Sequence, residues 1–155
     1  MIKFSLLFVL VLLIMMVANR VSQQYKDRYQ MYCDITNFFD TYKLNVGFKK
    51  EKIKNLTKNF QDNTTVLGCF NHYLDSGKFD LSKVKLLNQN EKAQIREYFL
   101  KLGNGDYDTE KKLIEIAKEF FDNKVRETKD FKDKWCPLIN KLTFLFALGV
   151  AILFV

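Results

Sequence analysis

The chain is poor in the residues from which most active sites are built. It has one histidine, His72, one proline, Pro137, and three cysteines in 155 residues. A zinc centre needs three or four Cys, His or carboxylate ligands brought together by their spacing. Cys33, Cys69 and Cys136 are scattered and form no Cys-x-x-Cys pair. An odd set also makes no disulfide framework. They read as buried free thiols in a reducing compartment, and neither a metal nor a cofactor is expected. His72 has no Ser or Cys partner at a motif spacing and reads as a helix-face residue. No Gly-x-x-x-x-Gly-Lys stretch is present to cradle a phosphate. Gly103-Asn104-Gly105 lacks the third glycine and the preceding strand of a dinucleotide site. Asp106, Asp108 and Glu110 alternate as a calcium loop begins, but the glycine and closing glutamate of that loop are missing, so they read as helix-start residues. No catalytic set emerges, and a non-enzymatic protein is expected. A lipid-acting membrane enzyme has only His72 and nearby carboxylates in its favour.

What the chain has is apolar bulk and basic charge. Apolar residues make up 48%, including fifteen Phe and seven Tyr, and Lys and Arg exceed Asp and Glu by 25 to 18, a formal charge of +7. Such a balance fits nucleic acid or an anionic lipid surface. No RNA or DNA motif accompanies it and the basic residues are spread, so a nucleic-acid partner is not expected. A solvated helical surface accounts for most of the charge and membrane attraction for part of the rest. Asn55 and Asn63 open Asn-x-Thr triplets, a glycosylation pattern frequent by chance.

Both ends are apolar. Phe4–Ala18 is interrupted only by Ser5, and Leu142–Val155 is a second run. Fifteen helical residues cover ~22 Å, short of a ~30 Å hydrocarbon core, but Met1–Val21 would cover ~31 Å with Lys3 and Arg20 reaching the headgroups. A cleaved signal peptide is the rival reading, with a cut after Ala18, although Met16 is bulky where a small residue is wanted. The second run lengthens to nineteen residues if it starts at Pro137, which suits a first helical position. Lys141 then lies near the interface, as does Trp135. A re-entrant or interfacial helix is the alternative for this segment. Arg20, Lys26 and Arg28 after the first run, and Lys124 to Lys134 before the second, put the intervening domain in the cytoplasm.

Between the ends the pattern is helical. Tyr25, Tyr32, Ile35, Phe39, Tyr42 and Val46 make one apolar stripe, ended at Gly47. Ile53, Leu56 and Phe60 mark a second short helix. Val66 to Leu74 mark a third, closed by Asp75-Ser76-Gly77, and Leu81, Val84 and Leu87 mark a weak fourth. Asn88 and Glu91 make a capping box, opening a helix that carries Ile95, Tyr98, Phe99 and Leu102. Gly103 stops it. A long helix then opens near Asp108 or Thr109, capped by Asp106 or Asp108, with Leu113, Ala117, Phe120, Phe121 and Val125 buried. No segment alternates as a strand does. The expected architecture is all-α: a membrane anchor over 1–21, a cytoplasmic helical bundle over 22–136 and a membrane helix over 137–155.

This layout resembles the stage III sporulation protein AB family of endospore-forming bacteria. The resemblance is carried by Tyr98-Phe99-Leu100-Lys101-Leu102-Gly103-Asn104-Gly105-Asp106, then 113–134 and the apolar tail. Its sharp motif is Leu102-Gly103 followed by Asp106. The sequence departs from the family at Glu110, where a Gln is usual, and at Thr143 and Ala147, where glycines are. The resemblance implies a membrane scaffold in the mother-cell membrane facing the forespore, whose helical domain is similar to the cytoplasmic domains of type II secretion platform proteins. It also implies other channel proteins and a cytoplasmic ATPase as partners, besides membrane lipid.

Overall fold

The computed structural model describes residues 2–44, 50–58, 60 and 62–154, and the side chains of 9–44, 53–58, 60, 62–150 and 152. Five helices follow one another: α1 (Ile2–Leu44), α2 (Lys50–Thr57), α3 (Val66–Ser76), α4 (Gln89–Lys101) and α5 (Tyr107–Phe154). No strand occurs among the described residues, so the chain is all-α. It divides into two compact units, one of Gln30–Arg126 and one of Met1–Tyr29 with Glu127–Val155. α1 and α5 contribute to both.

The unit of Gln30–Arg126 is a helical bundle around an aromatic core. On α1, Tyr32, Ile35, Phe39 and Tyr42 are buried, spaced three or four apart, as a helix with one face against a core must be. Val46 and Gly47, the expected end of that stripe, lie outside the described residues. Phe99 sits at the centre, its ring 5.5 Å from Phe39, 4.7 Å from Phe70 and 5.7 Å from Phe38. Phe121 joins from α5, 5.2 Å from Phe39. Rings at these separations interact through their quadrupoles in addition to the area they bury.

Local chemistry sets the ends of α3 and α4. The Thr65 hydroxyl accepts the Gly68 N–H at 3.1 Å and caps α3. Gly77 ends it at φ 72°, a left-handed position that glycine adopts without a Cβ penalty. The expected capping box is present in both directions: Asn88 Oδ1 accepts the Glu91 N–H at 2.8 Å, and Glu91 Oε2 accepts the Asn88 N–H at 3.0 Å.

Several expectations are corrected. Leu81, Val84 and Leu87 are core residues, but 78–88 is turns, not a fourth helix. Asp80 accepts the Ser82 N–H at 2.8 Å, and a Val84 N–H to Leu81 carbonyl bond of 3.1 Å closes a tight turn. Side-chain capture of backbone by Asp is the usual competitor of helix. Phe60 lies beyond the end of α2, its N–H bonded to the Thr57 carbonyl at 2.9 Å. On α5 Ala117 and Phe121 are fully buried as expected, joined by Ile114, whereas Leu113, Phe120 and Val125 are only partly buried at the core edge. Of the three thiols only Cys69 is buried. Pro137 does not open a helix: it lies inside α5. There it supplies no N–H to the helical ladder, and α5 continues past it.

Candidate functional site

Two places carry the residues singled out by the sequence. The first is the turn between α4 and α5. Leu102 is the C-cap of α4 and is buried, and Gly103 follows at φ 74°. Asp106 is the cap of α5: its Oδ1 accepts the Thr109 N–H at 3.1 Å and its carbonyl accepts the Glu110 N–H at 2.9 Å. Hydrogen bonds from the Thr109 hydroxyl and N–H hold its carboxyl below the usual carboxylate range. Asp108 lies two residues further on, exposed, in the first turn of α5. A carboxylate there favours the positive end of the helix, but it is not the cap.

Glu110 holds this turn together, and the sequence reading missed its role. It is 6% exposed. Its Oε1 accepts the Gly103 N–H at 2.7 Å and the Tyr42 hydroxyl at 2.7 Å, while Oε2 accepts the Gly105 N–H at 3.4 Å. One buried carboxylate therefore satisfies two backbone donors of the turn and ties the turn to α1. Burial, then the hydrogen bond and negative charge of Glu110, push the Tyr42 phenol far above its ordinary value, against a smaller opposite effect from the Gly103 backbone. The signal was available. Glu110 falls in register with Ile114, Ala117 and Phe121, on the buried stripe of α5. α1 makes a second tie of the same kind, from the Tyr32 hydroxyl to Glu91 Oε1 at 3.1 Å.

The second place is the unit of Met1–Tyr29 and Glu127–Val155. Lys132 Nζ stands 4.1 Å from the Tyr29 ring centroid, and Cys136 Sγ lies 3.6 Å from the Ser22 carbonyl. The two segments therefore run antiparallel. A cleft of about 200 Å³ opens between them, lined by Tyr25, Arg28, Glu127, Thr128 and Phe131. Arg20, Trp135 and Lys141, expected at an interface, are all exposed. Lys3, the fourth, lies outside the described side chains.

Beyond Asn19 on α1 and Lys141 on α5 the exposed side chains among those described are apolar. Leu13, Met16 and Val17 are 57%, 59% and 63% exposed, and Leu142, Phe144, Leu145 and Phe146 are 56% to 65% exposed. At about 100° per residue, positions 142, 144, 145 and 146 face different sides of α5. Among the described side chains of this unit, none covers them. Among the described residues no helix is long and apolar enough to cross a membrane, and no group of three His, Cys, Asp or Glu is placed to hold a metal ion. His72 is exposed on α3. In comparisons with known proteins, no family, no curated protein and no solved structure matches this chain.

Proposed function

We propose that this chain is a non-enzymatic membrane scaffold, its helical bundle held at a lipid surface by the apolar segments of α1 and α5. The observation that carries the proposal is the exposure of Leu142, Phe144, Leu145 and Phe146 around α5 beside Leu13, Met16 and Val17 on α1. Apolar side chains on every side of a helix are stable only in an apolar medium, and a bilayer supplies one. The apolar run of α1 begins at Phe4, ahead of Val9, the first described side chain. Tryptophan and lysine at the edge of the apolar region suit the headgroup layer.

The resemblance to the stage III sporulation protein AB family extends this reading to a place: a mother-cell membrane facing a forespore, with the bundle in the cytoplasm, coupling channel proteins and an ATPase. The exposed turn residues Asn104 to Asp106, which Glu110 and the Asp106 cap hold in shape, offer such partners a rigid feature.

Labelling tests the placement. With the native cysteines replaced, single cysteines at Gln23 and Lys129, both exposed, should react with a membrane-impermeant maleimide from the cytoplasmic side only. Reaction in intact cells would sink the cytoplasmic assignment. An intact mass lacking the residues up to Ala18 would favour a secreted binding protein instead. Deletion in a spore-forming host should arrest development during engulfment, and normal spores would remove the channel role.

A further inference from the structure

We infer that the basic side chains at the foot of the apolar segments select anionic phospholipid headgroups. The inference rests on the membrane reading above and names the lipid class. In this unit the charged residues nearest the apolar stretches are basic. On α1 Arg20 comes first, and the acid, Asp27, lies seven residues further on between Lys26 and Arg28. On α5 Lys141 and then Lys134 come first, and the acids Asp133, Asp130 and Glu127, interleaved with Lys132 and Lys129, begin one residue beyond Lys134. Because the two segments are antiparallel, both present their basic residues foremost to the same side. Arg20, Lys141 and Lys134 therefore stand nearer the apolar surface than any carboxylate on their own helix.

Two of the acids further back have local partners. Asp27 accepts from Gln23 at 2.7 Å, and Asp133 lies 3.5 Å from Lys132. They do not neutralise the row nearest the apolar segments. Lys134 Nζ stands 5.9 Å from the Trp135 ring centroid, placing cation and indole together at that level. A neutral, zwitterionic surface gains little from three cations without carboxylates between them. An anionic one attracts each of them over a Debye length of ~10 Å. Basic residues foremost suit an anionic surface, whereas solubility alone would be served equally by mixed signs there.

Trp135 is the only tryptophan of the chain, so its fluorescence reads the lipid beside it directly. The full chain is reconstituted into vesicles of equal phosphatidylglycerol and phosphatidylcholine, with one or the other carrying brominated acyl chains. The quenching ratio should favour brominated phosphatidylglycerol by about twofold or more. The ratio should fall to unity in the Arg20→Gln, Lys134→Gln, Lys141→Gln triple variant. Equal quenching by both lipids in the unaltered chain overturns the lipid selectivity while leaving the membrane placement standing. A bias that survives the triple substitution overturns the assignment to these residues. Absence of quenching by either lipid overturns the membrane placement itself.

Discussion

The Tyr42 hydroxyl donates to the Glu110 carboxylate at 2.7 Å across 68 residues of sequence. The bond closes the bundle: it joins the last full turn of the α1 stripe to the first turn of α5, and the same carboxylate holds the Gly103 and Gly105 N–H groups. Removing the carboxylate leaves the buried Tyr42 hydroxyl and the half-buried Gly103 N–H without their acceptor. Glu110→Ala should destabilise the full chain by about 3 kcal/mol and Tyr42→Phe by about 1–2 kcal/mol in urea unfolding followed by circular dichroism. The double variant should lose less than the sum, with a coupling of ~1 kcal/mol or more. Strict additivity would mean that the two side chains do not act as a pair.

The same pair sets an alkaline limit. Burial, and secondarily Glu110, raise the Tyr42 phenol above its unfolded value. Its contribution to stability is complete below the unfolded pKa of about 10 and is lost as pH rises beyond it, because the unfolded chain then ionises while the folded one cannot. Unfolding free energy should decline above about pH 10, and Tyr42→Phe should make that decline shallower. An unchanged slope in the variant would assign the alkaline loss elsewhere.

Asp106 and Asp108 should separate cleanly. Asp106→Ala removes the acceptor of the Thr109 N–H and should lower the melting temperature by about 4 °C, whereas Asp108→Ala should leave it nearly unchanged. The Asp106 carboxyl is held below its ordinary range, so its contribution is present above the unfolded carboxylate pKa and fades as pH falls through the folded one. Asp106→Asn keeps an acceptor at every pH, and its melting temperature should fall less on acidification than that of the unaltered chain. Equal melting temperatures for the two alanine variants would reject Asp106 as the cap.

Glycine in a helix usually gains from replacement by alanine. Gly68 should do the opposite. A Cβ there would lie 2.0 Å from the Asp62 carbonyl oxygen and 2.5 Å from its carbon. Backbone must move to make room, and Gly68→Ala should cost about 2 kcal/mol. Gly149 meets nothing within 4 Å, and Gly149→Ala should leave the bundle's unfolding midpoint unchanged. A stabilised Gly68→Ala chain would show that the 62–65 turn yields easily.

Features set by one local rule were readable from the sequence. The α1 stripe from Tyr32 to Tyr42, the Asn88–Glu91 box and the Gly103 stop each follow from period, cap chemistry or φ, and each is present; Tyr25, expected on the same stripe, is half-buried outside the bundle. The errors arose where two rules compete. Leu81, Val84 and Leu87 have helical spacing and are buried, but Asp80 takes the Ser82 N–H and the segment turns instead. Pro137 fits a helix start as well as an interior break, and its position alone does not decide between them. Glu110 reads from the sequence as a helix-start residue beside Asp106 and Asp108. Its partners, Tyr42 and two glycine N–H groups, are assembled only by the tertiary fold.

If the exposed apolar side chains of α1 and α5 seat in lipid, the full chain must partition with bilayers. Vesicle flotation of the full chain after detergent removal tests it most directly. The chain should rise with the vesicles and stay with them in high salt and in alkaline carbonate, since apolar burial is not screened as charge attraction is. A chain that stays at the bottom of the gradient as a monomer, soluble with neither detergent nor lipid, would contradict it.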